Sequence, residues 1–304
     1  MSPAAAQIKC LQAGRAIAAL AVVLHHAQLA ARDFGAVNIP MLEHGYLGVD
    51  FFFVLSGFII AHSVSGKTLG EYVWHRFRRV FLPYLPVGVA FALLYTALPS
   101  VSAGDRTWSW LATLTLLPIG DPALSVAWTL QHEVVFYAVF AAMLVTRNNW
   151  LLIIWAAAII LAPTEWLPFR SINLEFLFGV ICHRWQRNWA IFPLAILPFS
   201  LWLYLGAPRE ASWLFGASLA LVLPALLTAE RGGMRIPRWL VWTGGASYSI
   251  YLAHGLAISV VARIYPALPA LVLAGTLTGI AYFLLVERPL LSLIPKSPPS
   301  SFLR

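Results

Sequence analysis

Between residues 10 and 286 the chain is a succession of long apolar stretches with scarcely a charge inside them, and this limits its fold more than any other feature. A helix needs about 20 mostly apolar residues to cross a bilayer. Only helices and closed barrels can satisfy their backbone polar groups there. That ruler marks ten spans, at roughly 10–30, 46–64, 80–98, 124–145, 150–163, 171–187, 190–206, 212–228, 240–262 and 267–286. The fifth, Trp150 to Pro163, is short, and Trp108 to Leu117 is too short to cross, which predicts an interfacial or re-entrant segment. Prolines and glycines such as Pro99, Pro163, Pro208 and Gly232-Gly233 fall at the joints. The expectation is an all-α polytopic membrane helix bundle of about ten transmembrane helices. It forms a single domain over 1–304 with no appended soluble domain. Composition closes the other routes. Charged residues make up 11% of the chain against 60% hydrophobic, where a soluble domain carries about 25% charged and a disordered one is poor in apolar residues.

The distribution of basic residues sets the orientation. With a cytoplasmic N-terminus, fifteen of the 20 basic residues fall inside, among them Arg76, Arg78, Arg79, Arg184, Arg187, Arg235 and Arg238. Arg32, Arg106, Arg170, Arg209 and Arg263 fall outside. Both termini are then cytoplasmic. The net charge of +8 is explained as topology, so no nucleic-acid partner is called for. Lys9 followed by a short apolar run has something of a signal peptide, but Arg15 and His25-His26 interrupt that layout. Cys10 and Cys182 sit in apolar surroundings without ligand spacing, so neither a disulfide nor a metal site is expected.

Ionisable groups inside spans cost roughly 2.5–3.5 kcal/mol each on insertion scales, which makes them functional candidates. Here they are Arg15, His25, His26, Asp50, His132, Glu133, Glu175 and His254. Arg15 and His26 are eleven residues apart, which is about three helical turns plus 20°, so they share one face about 16.5 Å apart along the axis. His25 points about 100° away. A histidine bonded to a neighbouring helix carbonyl is the plainer reading of His26, and the arginine on its face argues against it. Glu133 lies roughly 13–14 Å into its span, where a carboxylate must be paired or protonated. Tyr137 sits one turn further on the same face. A structural ion pair and a carboxylate that orients a histidine both fit Glu133, and the second is preferred because perturbed carboxylates gather at active sites.

Asp50 opens the second span, where a helix N-cap near the interface would explain it. Ser56-Gly57 would allow close helix packing. Arg76, Arg78 and Arg79 fit positive-inside anchoring and phosphate binding equally well. Ser247, Tyr248, Tyr251 and His254 run along the ninth span, three of them in a polar stripe of the kind that lines a cavity.

These residues carry a resemblance. Arg15, ten intervening residues and His26 resemble the R-x10-H signature of the acyltransferase 3 family of membrane acyltransferases. GVDFFFVLSGFII (48–60), RFRRVFLPY (76–84), AWTLQHEVVFY (127–137), FLFG (176–179), SYSIYLAHG (247–255) and VERPL (286–290) are similar to further signatures of that family, in the same order. Thr129 stands where the family usually has serine. Each motif alone is soft, and the ordered series is specific.

The resemblance implies transfer of an acyl group, most often acetyl, from a cytoplasmic acyl-CoA to a hydroxyl of a carbohydrate, lipid-linked glycan or glycosylated small molecule. It implies an enzyme of the cell inner membrane, surrounded by lipid, in which His26 and Arg15 are essential. Acetyl-CoA would serve as donor substrate, with no tightly bound cofactor. Some family members carry a further esterase-like domain, and the expectation here is that any such step falls to a separate protein. On this reading His26 is the general base, Glu133 fixes its tautomer and Arg15 completes the catalytic set. Arg76, Arg78 and Arg79 bind the donor's phosphates. Asp50, Ser56, Tyr137, Ser247, Tyr251 and His254 line the cavity or bind the acceptor. A proton-coupled transporter or flippase of a sugar or lipid-linked sugar would also place His, Glu and Arg at mid-membrane, although no inverted repeat is visible. A structural scaffold would leave those groups unmotivated.

Overall fold

The computed structural model describes residues 8–36, 38–64, 66–99, 107–162 and 164–297. Arg106, Pro163 and Arg304 lie outside the described residues. Every regular element among those described is helical. In order they are α1 (Lys9–Asp33), α2 (Gly48–Ser63), α3 (Leu69–Ala97), α4 (Trp110–Thr115), α5 (Trp128–Thr146), α6 (Trp150–Leu161), α7 (Leu174–Trp185), α8 (Ile196–Tyr204), α9 (Ser212–Arg231), α10 (Arg238–Ala262), α11 (Leu268–Tyr282) and α12 (Arg288–Leu293).

Among the described residues, seven helical segments are long and apolar enough to cross a membrane: Lys9–Asp33, Pro40–Ser63, Leu69–Ala97, Ser125–Thr146, Arg209–Arg231, Arg238–Ala262 and Leu268–Leu293. The other three expected spans are helical but shorter. Trp150–Leu161 and Leu174–Trp185 have 12 residues each, and Trp189–Tyr204 begins as a 3-10 turn. Large apolar side chains such as Leu161 and Ile154 are 81% and 61% exposed, which suits a surface turned to lipid rather than water. The stretch 108–117 contains only the six-residue α4. Its irregular backbone is satisfied from within the protein. Gln131 donates to the carbonyls of Leu117 and Gly120 at 2.7 and 2.8 Å, and the Tyr84 hydroxyl donates to that of Thr113 at 2.9 Å. Non-helical backbone at membrane depth requires such partners.

The helices sort into two units. The first comprises residues 1–63 and 174–281, the second residues 64–173 and 282–304. In the first unit, glycines bring backbones together. A Cβ on Gly57 of α2 would lie 1.9 Å from the Phe176 carbonyl oxygen of α7, and one on Gly179 of α7 would lie 1.9 Å from that of Val54. The α2–α7 crossing therefore depends on both glycines. A Cβ on Gly244 of α10 would meet the Gln12 carbonyl of α1 at 2.0 Å. Helix α1 begins without a side-chain cap of its own. The Glu230 carboxylate, at the end of α9, replaces it by accepting from the Lys9 and Cys10 amides at 2.8 Å each. These are the orphan donors at the positive end of a helix.

In the second unit, α3 begins eleven residues before the apolar run that predicted it. Thr68 and Glu71 form a capping box, each side chain bonded to the other's backbone amide. Such caps contribute roughly 0.5–2 kcal/mol, enough to carry the helix through its polar first turns. Arg76, Arg78 and Arg79 therefore lie on a helix rather than in a loop. A π-helical turn, Phe283–Glu287, runs into the first two residues of the VERPL stretch, a distortion often found at functional positions.

Candidate active site

Helix α1 is unbroken from Lys9 to Asp33, so the three-turn offset of Arg15 and His26 holds. Both are half-buried. The surroundings of His26 come from α10. Its Nδ1 lies 3.0 Å from the Val22 carbonyl, one turn back on its own helix, and 3.1 Å from Nε2 of His254. His254 is fully buried, and its Nδ1 lies 2.9 Å from the Ile250 carbonyl. The two rings are 4.9 Å apart. Gly244 meets Gln12 near the start of α10, and His254 meets His26 further along. The two helices therefore run in the same direction.

A carbonyl only accepts, so the nitrogen facing it must carry the proton. His254 is thus protonated at Nδ1, and His26 at Nδ1 as well. The remaining nitrogen of neutral His26, Nε2, keeps its lone pair. That is the form a general base needs. His26 does contact a helix carbonyl, but that of its own helix rather than of a neighbouring one, and this carbonyl favours the Nδ1–H tautomer. His25 diverges as predicted. It is buried, its Nδ1 lacks a hydrogen-bond partner among the described residues, and its ring packs edge-on to Tyr46 at 5.9 Å.

The polar stripe of α10 turns inward. Ser247, Tyr251 and His254 are all buried. The Tyr251 ring lies 6.1 Å from both His254 and Phe52 of α2. Ser56 is half-buried on α2, and the neighbouring Gly57 serves the packing just described. Asp50 is not an interfacial cap. It is only 1% exposed and interacts with Glu175 of α7 and Ser212 of α9. Glu175 is fully buried, with its carboxyl against Gly216, where a Cβ would approach Oε1 to 3.0 Å. Asp50 Oδ1 and both Glu175 carboxyl oxygens lack a hydrogen-bond partner among the described residues. The sequence marked Glu175 as a buried acid but gave no sign that it meets Asp50.

The second unit holds another cluster. The Tyr137 hydroxyl donates to Glu133 on α5 through a short hydrogen bond. The Arg76 guanidinium stands over the rings of Tyr72 and Tyr137, at 5.9 and 5.6 Å. The three arginines of α3 thus differ in their contacts. Arg78 donates to the carbonyls of Leu291 and Ile294, and Arg79 pairs with buried Glu287 at 3.4 Å. Both bind the C-terminal segment of the same unit, while Arg76 faces the aromatic pair. His132 is bonded through Nδ1 to Asn173 at 2.8 Å, and Asn173 in turn donates to the Leu167 carbonyl at 2.8 Å. This is a buried structural network that the sequence did not indicate. No group of three or more potential metal ligands occurs among the described residues.

A multi-pass membrane bundle with a tautomer-fixed histidine and an arginine on one helix face belongs to a recognisable class. The acyltransferase-domain family model matches residues 8–287. The chain therefore belongs to the acyltransferase 3 family, and it is a membrane acyltransferase. It is 33% identical over 286 residues to the exopolysaccharide production protein ExoZ of Rhizobium meliloti, covering 81% of this chain and 90% of that protein. It is 30% identical to the acyltransferase MdmB of Streptomyces mycarofaciens, over 56% of this chain and 48% of MdmB. Protein 2 of the picA locus of Rhizobium radiobacter is 30% identical over 48% of this chain and 88% of its own length. No solved structure matches. Membership in an enzyme family sets aside the transporter and scaffold readings.

Proposed function

We propose that the protein transfers an acyl group, acetyl by preference, from acyl-CoA to a hydroxyl of a polysaccharide or lipid-linked glycan at the cell inner membrane. The observation that carries this reading is the 3.0 Å contact of His26 Nδ1 with the Val22 carbonyl, which puts the ring proton on Nδ1 and leaves the Nε2 lone pair to accept a proton. The acceptor hydroxyl loses its proton to His26 Nε2 as its oxygen attacks the thioester carbonyl carbon. The carbon–sulfur bond breaks, the leaving thiolate takes the proton from the imidazolium, and an ester and free CoA remain. Glu133, with Tyr137 as its hydrogen-bond partner, belongs to the catalytic set. Arg76 of α3 binds the donor's phosphates, for which a guanidinium fork is suited. Tyr251, Ser247, Ser56 and Asp50 serve the acceptor side. The name of ExoZ supports a polysaccharide acceptor.

All ten expected helices cross the membrane on this reading, with both termini cytoplasmic. The shared direction of α1 and α10 supports it, since they would be the first and ninth crossings. The test supplies membranes carrying the protein with labelled acetyl-CoA and a polysaccharide acceptor, without an ion gradient. Label should enter the acceptor as a base-labile ester. His26→Ala should abolish this while the protein still reaches the membrane, and near-normal transfer by that variant would refute the assignment of His26.

A further inference from the structure

We propose that His254 is a positioning residue that fixes and holds the base form of His26 in the manner of a triad's third member, using a neutral imidazole instead of a carboxylate. This deepens the reading of His26 as general base and rests on it. The argument is a chain of donors and acceptors. The Ile250 carbonyl lies 2.9 Å from His254 Nδ1, and a carbonyl has no proton to give. The Nδ1 of His254 is therefore the donor, and its Nε2 is left as an acceptor. That acceptor lies 3.1 Å from His26 Nδ1. The Nδ1–H of His26 is consequently shared between two acceptors, His254 Nε2 and the Val22 carbonyl at 3.0 Å. Flipping the tautomer of His26 would place two bare nitrogens and a carbonyl oxygen against one another with no proton between them. In a buried site that arrangement is strongly disfavoured. His254 is fully buried on α10, so water offers no substitute.

Charge sharpens the same geometry. When His26 takes the acceptor's proton on Nε2, its Nδ1–H becomes a cationic donor, and such bonds are roughly twice as strong as neutral ones. His254 Nε2 thus binds the imidazolium better than the imidazole, which is the differential stabilisation catalysis needs. The chain also ends there. For a proton to pass through His254, its Nδ1 proton would have to leave for a helix carbonyl, which cannot keep it. His254 therefore holds the charge of His26 and does not conduct it. An aspartate in that position would be a second buried ion. A neutral imidazole performs the task without one, at a site where an unpaired carboxylate is expensive.

The test separates an acceptor at this position from mere volume. His254→Gln keeps an acceptor oxygen near the place of Nε2, and His254→Met keeps volume without it. The first readout is the ring-nitrogen NMR spectrum of 15N-histidine-labelled protein, with His26 assigned by difference against His26→Ala. Wild type and His254→Gln should show His26 as the Nδ1–H tautomer, and His254→Met should show a mixture of tautomers. The second is acyl transfer. His254→Met should lose about 10–100-fold in kcat, by analogy with the outer partners that orient metal-bound histidines, with the KM for acetyl-CoA unchanged within about twofold and His254→Gln recovering most of the rate. An unchanged His26 tautomer in folded His254→Met overturns the proposal, as does equal loss in the Gln and Met variants. The tautomer readout does not depend on what His26 does. If His26→Ala remained active, the acyl-transfer mechanism would fall, while the spectrum would still decide the pairing.

Discussion

The hydroxyl of Tyr137 donates to the carboxylate of Glu133 one turn earlier on α5, and the same tyrosine ring lies 5.6 Å beneath the Arg76 guanidinium. Tyr137 therefore links an acidic and a basic side chain within the second unit. Its two roles are separable. Tyr137→Phe keeps the ring face and removes the donor from a partly buried carboxylate, a loss of about 1–3 kcal/mol in hydrogen bonding. Tyr137→Leu also removes the cation–π contact, worth about 0.5–2 kcal/mol. Steady-state kinetics should show lowered kcat in both variants. A raised KM for acetyl-CoA is expected in Tyr137→Leu alone.

The arginines of α3 should divide in the same experiment. Arg76→Ala is expected to raise the KM for acetyl-CoA about tenfold or more, because a desolvated phosphate contact is lost. Arg78→Ala should leave that KM within about twofold, since its guanidinium is committed to the Leu291 and Ile294 carbonyls. Its effect should appear as faster proteolysis after α12 in detergent-solubilised protein. Equal KM changes in the two variants would show that the division is wrong.

The α2–α7 crossing makes a stability prediction. Gly57→Ala and Gly179→Ala each push a methyl to within 1.9 Å of a backbone oxygen, which two rigid helices can relieve only by separating. A loss of about 1–3 kcal/mol or more follows, visible as a clear fall in the melting temperature of purified protein. Gly245→Ala faces open space on α10. It should melt at the wild-type temperature or slightly above, because alanine favours helix by up to about 1 kcal/mol.

His25 and His26 offer an internal control on one helix. His25→Ala should reduce acyl transfer by less than about tenfold, because the ring packs against Tyr46 and has no part in the Val22 and His254 contacts. The expected effect of removing a general base is about 10²–10⁴-fold. The reverse ranking would assign the base to the wrong ring.

The membrane class, the all-helical fold and the shared face of Arg15 and His26 were legible because they are local. Apolar run length decides whether a segment can cross, and a turn of 100° per residue decides which side chains align. The start of α3 shows the limit of hydropathy, since the Thr68–Glu71 box extends the helix through residues that read as polar loop. Three of the ten expected spans came out shorter than the seven long ones, because an apolar run is ended by its backbone caps and turns and not by its hydropathy alone.

Pairings between distant helices were decided by the tertiary structure alone. His26 and His254 are 228 positions apart, and nothing in either motif specifies that α1 and α10 run side by side in the same direction. The same holds for Asp50 against Glu175 and for Arg79 against Glu287. A buried polar group must find a partner wherever packing offers one. The sequence therefore names which groups need partners, and only backbone approach at positions such as Gly244 and Gly57 selects them.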